Sequence, residues 1–242
     1  WFTSNENDLK YGDSTWLLSL SELKKINFSH QYNNLYDYYH PPGNLNLKTD
    51  GISFHFNDSK KLLFDELNCD ISNARSIGLV GKNGKGKTTL AQIISGMLKI
   101  ETGSINLSIN KKLPMTAMLN QFPERMLGSD TLGNFFDQLI YHEKLNRRLV
   151  KKCINRLKTS QINWDMLKGQ LSINIPWSTL RMALIIILPH CNYDLLILDE
   201  PCFGMGSGQK KQLSKYLKEI MYQKHLILIS HDIEFIDSHC DH

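Results

Sequence analysis

The sequence predicts an α/β fold of the phosphate-loop type, and three stretches predict it. The first is Gly81-Lys82-Asn83-Gly84-Lys85-Gly86-Lys87-Thr88, a complete G-x-x-x-x-G-K-[ST] run. It stands between an apolar run, Ile77-Gly78-Leu79-Val80, and residues at helical spacing: Leu90, Ile93, Ile94, Met97 and Leu98. The second is Leu195-Leu196-Ile197-Leu198-Asp199-Glu200-Pro201, an apolar run ending in two carboxylates. The third is Leu228-Ile229-Ser230-His231-Asp232, an apolar run that ends in a histidine. Short apolar runs of this kind read as core strands buried on both faces. Strand, glycine loop and helix together hold a nucleoside triphosphate.

Each residue type in the loop answers a chemical need. Gly81, Gly84 and Gly86 let the backbone approach the phosphates in conformations other residues resist. The freed N–H groups and the positive helix end then point at the anion. Lys87 reaches the β- and γ-phosphates, and the Thr88 hydroxyl sits on Mg²⁺. The expected nucleotide-binding set is Gly81, Asn83, Gly84, Lys85, Gly86, Lys87, Thr88 and Thr89. Asp199 is placed to hold the Mg²⁺ water shell, and Glu200 points differently and polarises the attacking water as general base. His231 can hydrogen-bond the γ-phosphate or that water; alone it would read as a structural histidine.

Composition narrows the class further. A chain of 242 residues holds one large domain or two small ones. The net charge of +4 comes from dispersed lysines, which points to a solvated mixed surface and not to nucleic acid. Five scattered cysteines without a C-x-x-C pair read as free thiols in a reducing compartment. His231, His239, Cys240 and His242 match no zinc spacing. No apolar stretch approaches a membrane span; the longest, Met182 to Leu188, stops at Pro189.

Along the chain, residues 1–48 differ in texture, rich in Asn, Ser, Tyr and His and closing on Pro41-Pro42-Gly43-Asn44. They read as an N-terminal extension or linker in which Leu17, Leu18, Leu20 and Leu23 predict a short helix. The ATPase-type domain then spans 49–242. Ile52-Ser53-Phe54-His55-Phe56 alternates as a strand, with further strands over Leu62 to Ile71 and Gly103 to Leu107. A helical subdomain covers about 123–178, where Leu132, Phe135, Phe136, Leu139 and Ile140 keep helical spacing. A buried helix through Leu180 to Leu188, a strand at Leu195, an amphipathic helix with Leu213, Leu217 and Ile220, and a strand at Leu226 follow.

These elements, in this order, resemble the ATP-binding cassette (ABC) family from about Gly51 onward. The resemblance implies a P-loop ABC ATPase core with a small antiparallel β-subdomain near the adenine and a helical subdomain. His231 matches the family's switch histidine. Gln121 fits the glutamine that contacts Mg²⁺ and relays to the transmembrane partner, and Phe56 lies where an aromatic stacks on adenine; Phe56 as plain core is the other reading. Gln121-Phe122-Pro123-Glu124 is similar to the energy-coupling factor branch, whose ATPases drive uptake of vitamins and of cobalt or nickel ions. ATP and Mg²⁺, transmembrane transporter subunits, a second ATPase and a place on the cytoplasmic membrane face are implied in turn. A nucleotide-binding regulatory subunit and a soluble, non-transport ABC ATPase stay open as alternatives.

Two departures bear on the partner. The family signature Leu-Ser-Gly-Gly-Gln is replaced, by spacing, with Asn174-Ile175-Pro176-Trp177-Ser178, after which Arg181 falls on a family arginine. Pro176 lacks an N–H and Trp177 is bulky, so this surface is expected to bind a nucleotide on the opposite subunit poorly. Gly206 stands where the family carries an interface aspartate. Both departures affect what the chain gives a partner and leave its own ATP site intact, which predicts pairing with a different ATPase that has an intact signature. The start at Trp1 and the end soon after His231 read as a piece of something longer, such as the second cassette of a fused pair.

Overall fold

The computed structural model describes residues 43–56 and 61–240, together with the backbone of three upstream strands, Phe2–Thr3 (β1), Ser14–Leu18 (β2) and Leu23–Asn27 (β3). Next come Leu45–Phe54 (β4), Phe64–Ala74 (β5), Ser76–Val80 (β6), the helix Lys87–Ile94 (α1), Thr102–Ile109 (β7) and Thr116–Leu119 (β8). Four helices follow: Glu124–Leu127 (α2), Leu132–Tyr141 (α3), Arg147–Thr159 (α4) and Trp164–Leu167 (α5). Trp177–Ile187 (α6), Leu195–Asp199 (β9), Ser207–Met221 (α7), His225–Ser230 (β10) and Ile233–Asp237 (α8) complete the order.

The central sheet runs β3-β2-β1-β6-β10-β9-β8, parallel throughout except for the antiparallel β2–β3 pair. A second sheet, β5-β4-β7, is antiparallel. Alternation divides the core into two layers. Leu196, Leu198, Leu226 and Leu228 pack with α6 and α7, while Leu195, Ile197, Ile227 and Ile229 pack with α1 and the antiparallel sheet. A sheet covered on both sides needs apolar residues through its strand interiors, which is why 77–80, 195–198 and 226–229 read as apolar runs. Each fully buried Leu or Ile contributes about 1.5–3 kcal/mol.

The helices follow their sequence signals. On α3, Leu132, Phe136 and Leu139 are buried, and the Thr131 side chain caps the first turn by accepting from the Asn134 N–H at 3.1 Å. From Leu180 to Ile187 every residue of α6 is buried, Arg181 included; from Met182 onward the helix is apolar on all sides, as a buried helix requires. β4 begins at Leu45, upstream of the change in texture at Asp50. The short helix expected around Leu17 to Leu23 is replaced by β2 and β3, which pair Leu18 with Leu23 across a hairpin. Leucine spacing there is weak, and strand pairing beside β1 overrides it. The tyrosines of residues 28–42 and His242 lie outside the described residues.

Candidate active site

Parallel pairing brings the decisive strand ends to one edge of the sheet. Val80 is level with Ser230, Ile229 with Asp199, and Leu119 with Leu198. The loops after β6, β8, β9 and β10 therefore open on the same side, the carboxyl edge where α/β sheets bind ligands.

The glycine loop turns from β6 into α1. Gly86 caps that helix at φ 88°, and a Cβ there would lie 2.7 Å from the Phe64 ring. Positive φ and the Phe64 contact each require glycine. Within the loop the Lys87 ammonium donates to the Gly81 carbonyl at 2.5 Å and the Lys82 carbonyl at 3.2 Å. Burial holds the Lys87 pKa below its ordinary value, while Glu200 and Asp199 act the other way.

Asp199 closes β9 at 2 % exposure. Its carboxylate accepts a hydrogen bond from the Thr88 hydroxyl at 2.6 Å, tying the start of α1 to the end of β9. Burial pushes the Asp199 pKa up to about 6, against the pull of Thr88, and the neighbouring Glu200 charge adds to the rise.

Glu200 adopts a positive φ of 47°, a sparsely populated conformation that its surroundings enforce. Its N–H donates to the Ile229 carbonyl at 2.8 Å. Oε1 accepts the His231 backbone N–H at 2.9 Å and lies 2.9 Å from His231 Nδ1; Oε2 accepts the Ser230 hydroxyl at 3.2 Å. With Nδ1 bound to the carboxylate, Nε2 is the ring nitrogen left for a ligand.

A cavity of about 500 Å³ joins these groups. Asn83, Gly84, Gly86, Lys87, Thr88 and Thr89 line one side, and Asp199, Glu200, His231 and Gln121 the other. Phe56 also lines it, half exposed and edge-on to Phe54 at 5.2 Å, so it is not core. Gly81 sits below the cavity as the acceptor for Lys87, and Lys85 is exposed outside its lining. The lining includes Leu63 and Phe203, which the sequence did not mark as site residues. The Ser230 hydroxyl, which donates to Glu200, is a further site group that the sequence does not mark beyond its place between Ile229 and His231.

The donor set suits a triphosphate with a hard divalent cation. Helix N–H groups and an ammonium suit an anion, while a hydroxyl and a carboxylate already in contact offer the oxygen ligands that Mg²⁺ prefers. A carboxylate whose pKa burial raises gains an electrostatic reason to take a cation.

At the place of the expected signature, Trp177 opens α6 behind Pro176, with no side-chain cap. Gly206 precedes α7, and its N–H donates to Gln209 Oε1 at 3.2 Å. No helix among the described residues is long and apolar enough to cross a membrane.

Known proteins resemble this chain in sequence and fold. A putative ABC transporter ATP-binding protein of Treponema denticola is 25% identical over 181 residues, 74% of this chain and 36% of that protein. The energy-coupling factor transporter ATP-binding protein EcfA2 of Staphylococcus aureus is 26% identical over 193 residues, 73% of this chain and 66% of that protein. The chain thus spans about a third of one relative and just under two thirds of the other. The solved structure of cbiO1 from Clostridium perfringens, part of the ABC transporter complex cbiONQ, shares the fold with a TM-score of 0.61 and 23% identity over 81% of this chain and 82% of that one. Residues 64–203 match the family model for the ABC transporter, and the chain belongs to that family.

Proposed function

We propose that this chain is the ATP-hydrolysing subunit of an ABC membrane transporter of the energy-coupling factor type, working on the cytoplasmic face of the membrane. One observation carries the reading: Thr88 and Asp199 meet at 2.6 Å in the cavity that also holds Lys87, Glu200 and His231. The loop N–H groups and Lys87 bind the phosphates, and Phe56 stacks on the adenine. Thr88, Asp199 and Gln121 would hold Mg²⁺, which when bound would neutralise developing charge on the phosphoryl oxygens. Glu200 takes the proton of a water whose oxygen attacks the γ-phosphorus, and the bond to the β–γ bridging oxygen breaks, leaving ADP and phosphate. His231 keeps the Glu200 carboxylate in place and offers Nε2 to the γ-phosphate.

The partners are transmembrane transporter subunits and a second ATPase with an intact signature, with no role for nucleic acid. The relatives' names support the first. Pro176 and Trp177 at the head of α6 support the second, because the cap position has no N–H and a bulky, partly exposed indole stands at the helix start, where the family's glycines would let a nucleotide held opposite approach. The same observation favours a regulatory subunit as the alternative. Glu200→Gln separates the two: trapped Mg·ATP and a stable closed pair support the motor. Nucleotide turnover indistinguishable from the unsubstituted chain supports the regulatory subunit.

A further inference from the structure

Arg181 is the largest fully buried side chain among the described residues, at 0% exposure. Removing a guanidinium from water is costly, and burial lowers its pKa, with the Glu124 charge as the leading offset. Apolar packing would fill the same volume without that cost. The guanidinium is spent on two separate loops. Nη1 donates to the Phe203 carbonyl and Nη2 to the Gln121 carbonyl, and the guanidinium lies 5.6 Å from the Phe203 ring centroid. Its Nε has no partner among the described residues, so the fork is committed to the two carbonyls.

Both loops line the active-site cavity. Gln121 follows β8, and Phe203 ends the turn that begins at Glu200, its N–H donating to the Glu200 carbonyl at 3.0 Å. Glu200 holds a positive φ that needs support from its surroundings. A planar fork gripping two carbonyls fixes their separation, which a lysine ammonium on a flexible stem does less well. We propose that Arg181 is a positioning residue that holds Gln121 and Glu200 at a set separation across the cavity, so that Mg²⁺ and the attacking water are met in register. The proposal rests on the ATPase reading above, with Gln121 facing the metal.

The test uses the full chain with Arg181→Lys and Arg181→Met. Nucleotide affinity is measured by calorimetry in EDTA and then across a Mg²⁺ titration, alongside steady-state kcat and KM. Without Mg²⁺, both variants should bind ATP within about twofold of the unsubstituted chain, because the phosphate loop is untouched. The Mg²⁺ concentration for half-maximal tightening should rise about tenfold or more in Arg181→Met, with Arg181→Lys between, as for losses of groups that orient metal ligands. Where turnover is measurable, kcat should fall about 100-fold with little change in KM. In a Gln121→Ala background, Arg181→Lys should raise the Mg²⁺ requirement little further. If Arg181→Met does not fold, Arg181→Lys decides by the same titration. An unchanged Mg²⁺ requirement, an equal loss of Mg²⁺-free binding, or full additivity with Gln121→Ala overturns the proposal. Failure of the unsubstituted chain to bind Mg·ATP would instead overturn the ATPase reading.

Discussion

Glu200 and His231 are joined twice, by the backbone N–H and by ring Nδ1, both at 2.9 Å from the same carboxylate oxygen. A base held by two donors on one oxygen and by Ser230 on the other is oriented before any substrate arrives. That arrangement suits proton abstraction, because orientation is already fixed when water enters.

Glu200→Gln should retain the fold, since the amide oxygen still accepts both His231 donors. Losing the base should lower the rate of ATP hydrolysis about 100- to 10,000-fold with ATP affinity kept within a few-fold. Phosphate-release kinetics and equilibrium binding on the same preparation check this.

Asp199 sets a pH-dependent stability. Its folded pKa of about 6 lies above the ordinary 3.8, so the folded state binds more protons between those values. Stability then falls as pH rises from about 4 to 6 and stays lower above that. Asp199→Asn removes the penalty: metal-free melting should shift upward by the equivalent of about 1–3 kcal/mol at pH 7 and not at pH 4. Thermal melts in EDTA at the two pH values test it, and Mg²⁺-dependent nucleotide tightening should vanish in the same variant.

Gly86→Ala should cost about 1–3 kcal/mol of stability, combining strain at φ 88° with a 2.7 Å approach to Phe64. Because the loop that carries the phosphate-facing N–H groups must shift, ATP affinity should fall as well. Denaturant melts and calorimetry together show both effects; a loss of stability with full affinity would mean that Phe64 yields and the loop does not.

Local signals carried most of this site. The apolar run from Leu195 to Leu198 is continuous because β9 is covered on both faces, and its acidic end lands beside the phosphate loop by strand pairing alone. Contacts made at long range left no mark in the chain. Arg181 reaches carbonyls 60 and 22 residues away, and backbone acceptors carry no residue signature. Leu63 lines the cavity from the residue before β5, inside a stretch the sequence reads only as a strand over Leu62 to Ile71. Upstream, β1 to β3 join the sheet beside β6 through pairing that leucine spacing at Leu17 to Leu23 does not encode.

The most direct measurement is calorimetric titration of the full chain with Mg·ATP, set against Lys87→Ala. Saturable binding to one site is expected, weakened about 10- to 150-fold on loss of the ammonium, the value of about 1.5–3 kcal/mol for charge-assisted hydrogen bonds. No affinity for Mg·ATP, or equal affinity in the two proteins, would contradict it.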